Sequence, residues 1–591
     1  MKKYLNKYFF VLGEKRKKLP IVVCFFILAS ALDLIGLGLV GPFIAVVISP
    51  EQISENFIWL DNIIQRYSFE HSEFVLILGG IMLLVFYMKG FVAYFVHKYI
   101  VRFSFMHQAD IIKLLMTNYQ AMPYERIIDR NTSSLLNTVS GHVRLYTEQT
   151  LMASLKLTSE LLVVIAVISL LAITNFFAML TLGFLFLTIF ILYDGFAKAP
   201  LQKSGEITAR ALETILQGLQ ESIGSMKEVR IFGKQDFFFS RVVGAAEDYA
   251  KYGSKTQAMQ NIPRYLLEST VLTFLIVLAG YTMFYNLNPA NAMATLGVFA
   301  VAAVRLLPSA FQISVAVSSL RFSRHHLNEL YNDLKNLEQP IEKNVVIEKS
   351  NNRPYSADEV FYELELKAVS YKYPKSDTNA IENADISVSK GECIAVIGKS
   401  GAGKTTFVDL ILGLLIPTRG KILLNGVNLS EYLSFWYSKV AYIPQSVFLI
   451  DDSLKNNIIL PKKKGDIDEE RLQSVITATQ LDEVVRELSS GVNTFIGENG
   501  IKLSGGQRQR VALARALYHQ REVIILDEAT SALDVETEKQ IIHEINELKG
   551  HKTIIVIAHR AETIKHCDRI IEIKNGKVND QIKQNKKINI S

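Results

Sequence analysis

The N-terminal part of the chain is organised as long apolar runs separated by two kinds of polar segment. Runs suited to membrane helices fall at about 20–48, 74–96, 157–174, 176–196, 265–286 and 291–318. A helix needs roughly 20 apolar residues to cross the hydrocarbon, and each run reaches that length alone or with its flanks. Thr174-Asn175 between the third and fourth runs predicts a tight hairpin. The connections 97–156 and 197–264 have helical spacing and few glycines. Structureless loops of such length are uncommon, so these read as membrane helices prolonged beyond the bilayer.

Beyond residue 340 the texture changes. Residues 340–358 are polar and read as a linker. After them, short β-branched runs at Cys393–Ile397, Val440–Pro444, Val523–Leu526 and Thr553–Ile557 alternate with helical patterns. That alternation predicts an α/β domain with a largely parallel sheet. The expected division is 1–339 for the membrane part, 340–358 for the linker, 359–580 for the α/β domain and 581–591 for a basic tail.

Hydrophobic residues make up 49% of the 591 positions, and mean hydropathy is +0.20. That composition excludes a wholly soluble protein and a disordered one. Net charge is +6 on 64 basic and 58 acidic residues, too balanced to imply a nucleic-acid partner. The basic residues have a topological pattern instead. Residues 51–73 hold five carboxylates and one arginine, whereas 97–156 and 197–264 are rich in Lys and Arg. By the positive-inside rule the long connections and both termini face the cytoplasm. Lys15-Arg-Lys-Lys18 before the first run could open a signal peptide, but the run is too long, so it reads as an anchor. Residues 51–69 carry Ile53, Phe57, Leu60, Ile64 and Tyr67 on one stripe, predicting a short amphipathic external helix. Cys24, Cys393 and Cys567 form neither a disulfide framework nor a zinc site.

The chemistry lies in the α/β part. Gly398, Lys399, Ser400, Gly401, Ala402, Gly403, Lys404, Thr405 and Thr406 follow an apolar strand and open a helix expected over Thr405–Leu415. This is a phosphate loop in its confirming context. Its backbone N–H groups and helix N-terminus suit phosphate oxygens. Lys404 suits the β- and γ-phosphates, and the Thr405 hydroxyl suits Mg²⁺. Val523-Ile-Ile-Leu-Asp527-Glu528 is a buried strand ending in two carboxylates. Asp527 is placed for Mg²⁺ and Glu528 for polarising the attacking water, with positioning and electrostatics carrying most of the catalysis.

Leu503-Ser504-Gly505-Gly506-Gln507, lying between the two phosphate motifs, resembles the signature of ATP-binding-cassette proteins. The resemblance covers about 360–580 and implies further roles: Tyr373 on adenine, Gln445 on Mg²⁺ and His559 on the γ-phosphate. It also implies that Ser531-Ala-Leu-Asp534 crosses a dimer interface and that Glu498-Asn-Gly500 touches coupling helices. The implied fold is a membrane all-α six-helix transmembrane domain plus an α/β P-loop ATP-binding-cassette domain, arranged like type IV exporters. Such a half-transporter works as a homodimer, with ATP shared between the phosphate loop of one copy and Ser504–Gly506 of the other. Coupling helices are expected near Met122–Ile128 and Ile231–Phe238, and the setting is a bacterial cytoplasmic membrane.

Cargo must be read from charge inside the apolar runs, which is costly and usually functional. Asp33, Lys89, Glu160, Arg264, Glu268 and Arg305 are the candidates, with Asp33 and Arg305 nearer mid-span and Arg305 the basic residue there. Arg305 could meet a substrate phosphate or a neighbouring acid. Ile262–Glu268 and Ala303–Ser309 resemble stretches of PglK-type flippases for lipid-linked oligosaccharides, which implies a polyprenyl-diphosphate glycan as cargo. In this chain the second basic position expected in the sixth run is Gln312. The alternatives are an exporter of lipids, peptides or drugs, and a nucleotide-gated regulator with little turnover.

Overall fold

The computed structural model describes residues 2–40, 43, 47, 71–128, 130, 132–284, 289–338, 359–374, 376–460, 467–527, 543, 547–558 and 564–582. The external helix expected at 51–69 and the linker 340–358 lie outside these residues, and so do Glu528, Ser531–Asp534 and His559. The chain forms two compact units. The first is Met1–Gln120 with Arg130–Gln339, and the second is Ala121–Asp129 with Pro340–Ser591.

The first unit is helical. It contains α1 (Lys2–Leu12), α2 (Leu19–Gly38) and α3 (His71–Ala121). A short helix, α4 (Tyr124–Ile128), follows α3 in the chain but belongs to the second unit. The first unit resumes with helical turns from Thr132 to Leu151, π-helical at Thr138–His142 and Tyr146–Leu151. Then come α5 (Met152–Thr174), α6 (Phe176–Gly224), α7 (Met226–Ile231), α8 (Gln235–Phe284), α9 (Pro289–Phe322) and α10 (Arg324–Glu338).

Six described helical stretches are long and apolar enough to cross a membrane. The 51 residues of α3 extend about 76 Å at 1.5 Å per residue. That is more than twice the roughly 30 Å of hydrocarbon, so α3 projects well beyond a bilayer. The turn between α5 and α6 is the single residue Asn175, whose side chain accepts from Ala178 N at 3.0 Å and caps α6. One core cluster joins Val163, Val167, Phe274, Phe299 and Leu306 from three helices, α5, α8 and α9. A second gathers Tyr8, Leu12, Phe26, Leu115, Tyr146, Leu327 and Leu330.

The second unit carries a ten-stranded sheet among its described residues. In chain order the strands are β1 (Glu363–Tyr371), β2 (Ile381–Ser389), β3 (Cys393–Ile397), β4 (Arg419–Leu424) and β5 (Val427–Asn428). They continue as β6 (Val440–Ile443), β7 (Val523–Asp527), β8 (Thr553–Ile557), β9 (Arg569–Lys574) and β10 (Lys577–Ile582). The spatial order is β5-β4-β1-β2-β10-β9-β3-β8-β7-β6. Strands β9, β3, β8, β7 and β6 run parallel, and β3, β8, β7 and β6 are almost wholly apolar, as expected of strands covered on both faces. β1, β2, β4 and β5 pair antiparallel.

Two tight hairpins join neighbouring strands, one at the β5 edge and one in the middle of the sheet. Asn425-Gly426 joins β4 to β5, and Asn575-Gly576 joins β9 to β10, all four residues having positive φ near that of a type I′ turn. Residues 577–582 are thereby drawn into the sheet.

Candidate functional site

The order of the parallel strands determines which loops meet. The phosphate-loop strand β3 and the acidic strand β7 are not neighbours; β8 lies between them. The carboxyl ends of β3, β8, β7 and β6 therefore bring four points of the chain to one edge of the sheet: Gly398–Lys404, Ala558, Asp527, and the stretch leading to Gln445. Ligands of open α/β sheets bind at that edge.

The phosphate loop ends in Gly403, left-handed at φ 108°, which caps α11 (Lys404–Ile411). A Cβ at Gly403 would come within 2.6 Å of the Ala380 carbonyl, so the backbone approach excludes other residues. Lys404 is buried and donates to the carbonyls of Gly398 at 2.9 Å and Lys399 at 3.3 Å. The ammonium thus rests on loop oxygens at the place where phosphate oxygens would compete for it. Thr405 is exposed at the helix start, whereas Thr406 points inward and its hydroxyl lies 3.2 Å from the Tyr373 hydroxyl. α11 stops at Ile411, short of the expected Leu415, because Gly413 turns the chain at φ 70°.

Asp527, at the end of β7, accepts from the Tyr442 hydroxyl at 2.9 Å. Burial and the charge of Asp527 push the carboxyl of Asp409, on α11, up to about 6. Negative charge from Asp409 and Asp527 beside a phosphate loop suits a divalent cation. Thr405, Asp527 and the exposed Gln445, the residues expected around Mg²⁺, offer a hydroxyl, a carboxylate and an amide oxygen, a donor set whose chemistry would suit that ion. Asp409 and Tyr442 were not anticipated from sequence; only their places in a helix and a strand put them beside Asp527.

Ser504 caps α12 (Gly505–Tyr518) through a capping box. Its Oγ accepts from Gln507 N at 3.2 Å, and its own N–H donates to Gln507 Oε1 at 2.8 Å. Ser504 remains exposed at the open N-terminus of a 14-residue helix. Gly505 and Gly506 form the first turn of that helix, where N–H groups have no intrahelical partner.

One further relationship lies inside the second unit. The Tyr371 hydroxyl donates to Glu125 Oε1 at 2.8 Å, joining α4 to the end of β1. The Tyr371 ring stands edge-on to Tyr373 with centroids 5.0 Å apart. The contacts run from α4 through Tyr371 and Tyr373 to Thr406 of the phosphate loop. The stretch Met122–Ile128, where the first coupling helix was expected, holds the short helix α4. The second was expected at Ile231–Phe238, but the short helix is α7, Met226–Ile231, because the chain turns at Gly233 with φ 61° before α8 begins.

In the first unit, Asp33 gathers the intramembrane charge. Arg305 donates to it bidentately, Nε to Oδ1 at 3.1 Å and Nη2 to Oδ2 at 2.8 Å. Lys89 Nζ contacts the same carboxylate. These residues line a cavity of about 370 Å³ together with His97, Lys156, Glu160 and Gln312. Three cations there face two carboxylates, and Glu160 Oε2 is buried without a partner. Arg305 is thus paired with a protein acid, and Lys89 and Lys156 supply the positive charge that Gln312 lacks. Arg264 and Glu268 do not join this cavity; they form an exposed i,i+4 pair on α8 with Nε to Oε1 at 2.8 Å.

The fold is that of an ABC exporter protomer: six long apolar helices joined in one chain to an ATP-binding-cassette domain. Residues 381–531 match the family model described as "ABC transporter". A solved bacterial Atm1-family ABC exporter with ATP bound superposes with a TM-score of 0.70 over 95% of this chain and 94% of that one, at 18% identity. Curated relatives include ATP-dependent lipid A-core flippases. That of Photorhabdus laumondii is 31% identical over 396 residues, 65% of this chain and 63% of the relative. Those of Cupriavidus pinatubonensis and Haemophilus influenzae are 42% and 41% identical, covering 36% and 39% of this chain and 37% and 40% of theirs. The chain therefore spans less than two thirds of the length of these relatives. The resemblance to oligosaccharide flippases finds no counterpart among them.

Proposed function

We propose that the chain is an ATPase coupled to translocation, and that two copies flip a lipid with an anionic headgroup across a bacterial cytoplasmic membrane. The single observation that carries the cargo reading is the cavity of Lys89, Lys156, Arg305, Asp33 and Glu160, basic on balance inside an apolar helical bundle. Charge in that setting costs too much to persist without a partner or a role. Arg305 is half satisfied by Asp33, and its planar fork suits phosphate oxygens. The relatives described as lipid A-core flippases favour a lipid over a peptide or drug.

Chemistry at the sheet edge follows from the residues. Lys404 would leave the carbonyls of Gly398 and Lys399 to hold the β- and γ-phosphates. Tyr373 would offer its ring to the base. Thr405, Asp527 and Gln445 would hold Mg²⁺, which neutralises phosphate charge when bound. Glu528 and His559, in their sequence motifs, would orient the attacking water and contact the γ-phosphate. Ser504–Gly506 of a second copy would close over the nucleotide, its free helix N-terminus meeting phosphate. Exposed Ile231 at the end of α7 and Phe232 just after it, at 73% and 72%, favour a second copy as the surface they meet.

A second reading, a polyprenyl-diphosphate glycan as cargo, draws on Ile262–Glu268 and Ala303–Ser309. One experiment tests both. The protein is reconstituted in liposomes carrying fluorescent lipids of three kinds: phosphorylated glycolipid, polyprenyl-diphosphate glycan and zwitterionic phospholipid. ATP-dependent loss of the first or second from the donor leaflet, without the third, supports an anionic-lipid flippase and chooses the cargo. Equal movement of all three, or of none alongside ATP turnover, overturns it.

A further inference from the structure

The chain leaves the first unit after Gln120 and returns to it at Arg130. Both flanks of that excursion are tied to one carboxylate. The Tyr119 hydroxyl donates to Oδ2 of Asp333, and Arg130 Nη1 donates to Oδ1 at 2.6 Å. Asp333 lies on α10, the helix that follows α9, the last of the six long apolar helices. Its side chain is only 12% exposed, and that of Arg130 is 29% exposed. A charge-assisted bond and a phenol–carboxylate bond on one acceptor are among the stronger side-chain contacts available.

The surroundings allow this arrangement to open. Arg130 and Asp333 border a polar cavity of about 390 Å³, whose walls also carry His142, Arg210, Glu213 and Asn332. A pair beside such a cavity can part without stranding either charge in apolar surroundings. A pair sealed in a core would be held by the cost of doing so.

We propose that Asp333 is a positioning residue that clamps both ends of the 121–129 excursion to α10. The segment between the clamped flanks is short: a bend at Met122-Pro123 and the five-residue helix α4. Held at one end only, it would absorb displacement of α4 by hinging at its free end. Held at both ends by one carboxylate, it passes that displacement into α10 and so toward α9. Hydrogen bonding of Glu125 to Tyr371 holds the middle of the same excursion within the second unit. The inference rests on the reading of the chain as an ATP-driven lipid transporter.

The test uses the full-length protein in liposomes with the fluorescent phosphorylated glycolipid. The variants are Asp333→Asn, Tyr119→Phe, Arg130→Gln and the exchange Arg130→Asp with Asp333→Arg. Four quantities are read: ATP turnover, KM for ATP, lipid moved per ATP hydrolysed, and hydrogen exchange at 121–129. Asp333→Asn should lower lipid moved per ATP roughly tenfold, the loss expected of one charged hydrogen bond, while KM for ATP holds. Tyr119→Phe should lower it less, and the charge exchange should restore part of it. Unchanged lipid per ATP in Asp333→Asn overturns the clamp. So does a loss that the exchange fails to rescue and that comes with a lower Tm. If the wild type hydrolyses ATP without moving lipid, the transport reading fails, and hydrogen exchange then decides. Faster exchange at 121–129 in Asp333→Asn at unchanged Tm supports the clamp, and unchanged exchange overturns it.

Discussion

The Tyr371 hydroxyl donates a 2.8 Å hydrogen bond to Glu125, so the residue that ends β1 also holds the short helix α4. Burial and the neighbouring Glu125 carboxylate raise the Tyr371 phenol well above its ordinary range, which keeps it a donor. Glu125→Gln and Tyr371→Phe should each weaken this contact by about 1.5–3 kcal/mol, the range for hydrogen bonds to charged groups. Both variants should retain ATP binding and lose lipid movement per ATP hydrolysed. Combining them should cost little more than either alone, and a double-mutant cycle on the coupling ratio checks this.

Lys404→Ala should weaken nucleotide binding itself, because it removes the cation that the loop carbonyls now hold. Glu528→Gln should keep binding and lose most hydrolysis, since an amide orients water poorly and cannot take a proton. Calorimetric titration with ATP alongside a phosphate-release assay separates the two. Near wild-type turnover in Glu528→Gln would remove its assigned role.

Ser504 has two separable duties. Ser504→Ala breaks the capping box and should cost about 1 kcal/mol of stability in the cassette, read as a lower denaturation midpoint. Ser504→Arg puts a bulky cation where a second copy's nucleotide would dock. It should abolish hydrolysis while each cassette still binds ATP. Mixed with Lys404→Ala protomers, it should recover at most one working site per pair.

Asp33 serves two cations, which gives its neighbours unequal fates. Asp33→Asn should lower expression and Tm, because Arg305 and Lys89 would both lose their partner inside an apolar bundle. Arg305→Ala should fold, because Asp33 keeps Lys89. If the cavity takes an anionic headgroup, Arg305→Ala should lose lipid movement while basal ATPase persists, and Arg305→Lys should restore only part. Unchanged lipid movement in a stably expressed Arg305→Ala protein would remove the anionic-headgroup reading.

Much of this molecule could be read along the chain. Long apolar runs can only be satisfied by helices in lipid, because every backbone group must pair within its own segment. The strands Cys393–Ile397 and Thr553–Ile557 were readable to the residue, as buried parallel strands with no polar alternation to blur their ends. The phosphate loop carries its meaning in local backbone geometry, so its residues and spacing suffice. The tail expected at 581–591 begins later than its composition suggested, because Gln581 and Ile582 continue β10 alongside β9.

What only the tertiary structure decided are pairings between distant segments. Asp33 and Arg305 are separated by 272 positions, and nothing local to either selects the other over Glu160 or a ligand. Asp409 and Tyr442 join the nucleotide site because strand order brings α11 and β6 beside β7. Asp333 meets both Tyr119 and Arg130 because the end of α3 and the chain at residue 130 both reach α10. Such contacts depend on helix crossing and strand order, which arise from the packing of whole faces rather than from the identity of any one residue. The sequence therefore determined the kinds of element and the phosphate chemistry, and packing determined which charges became partners.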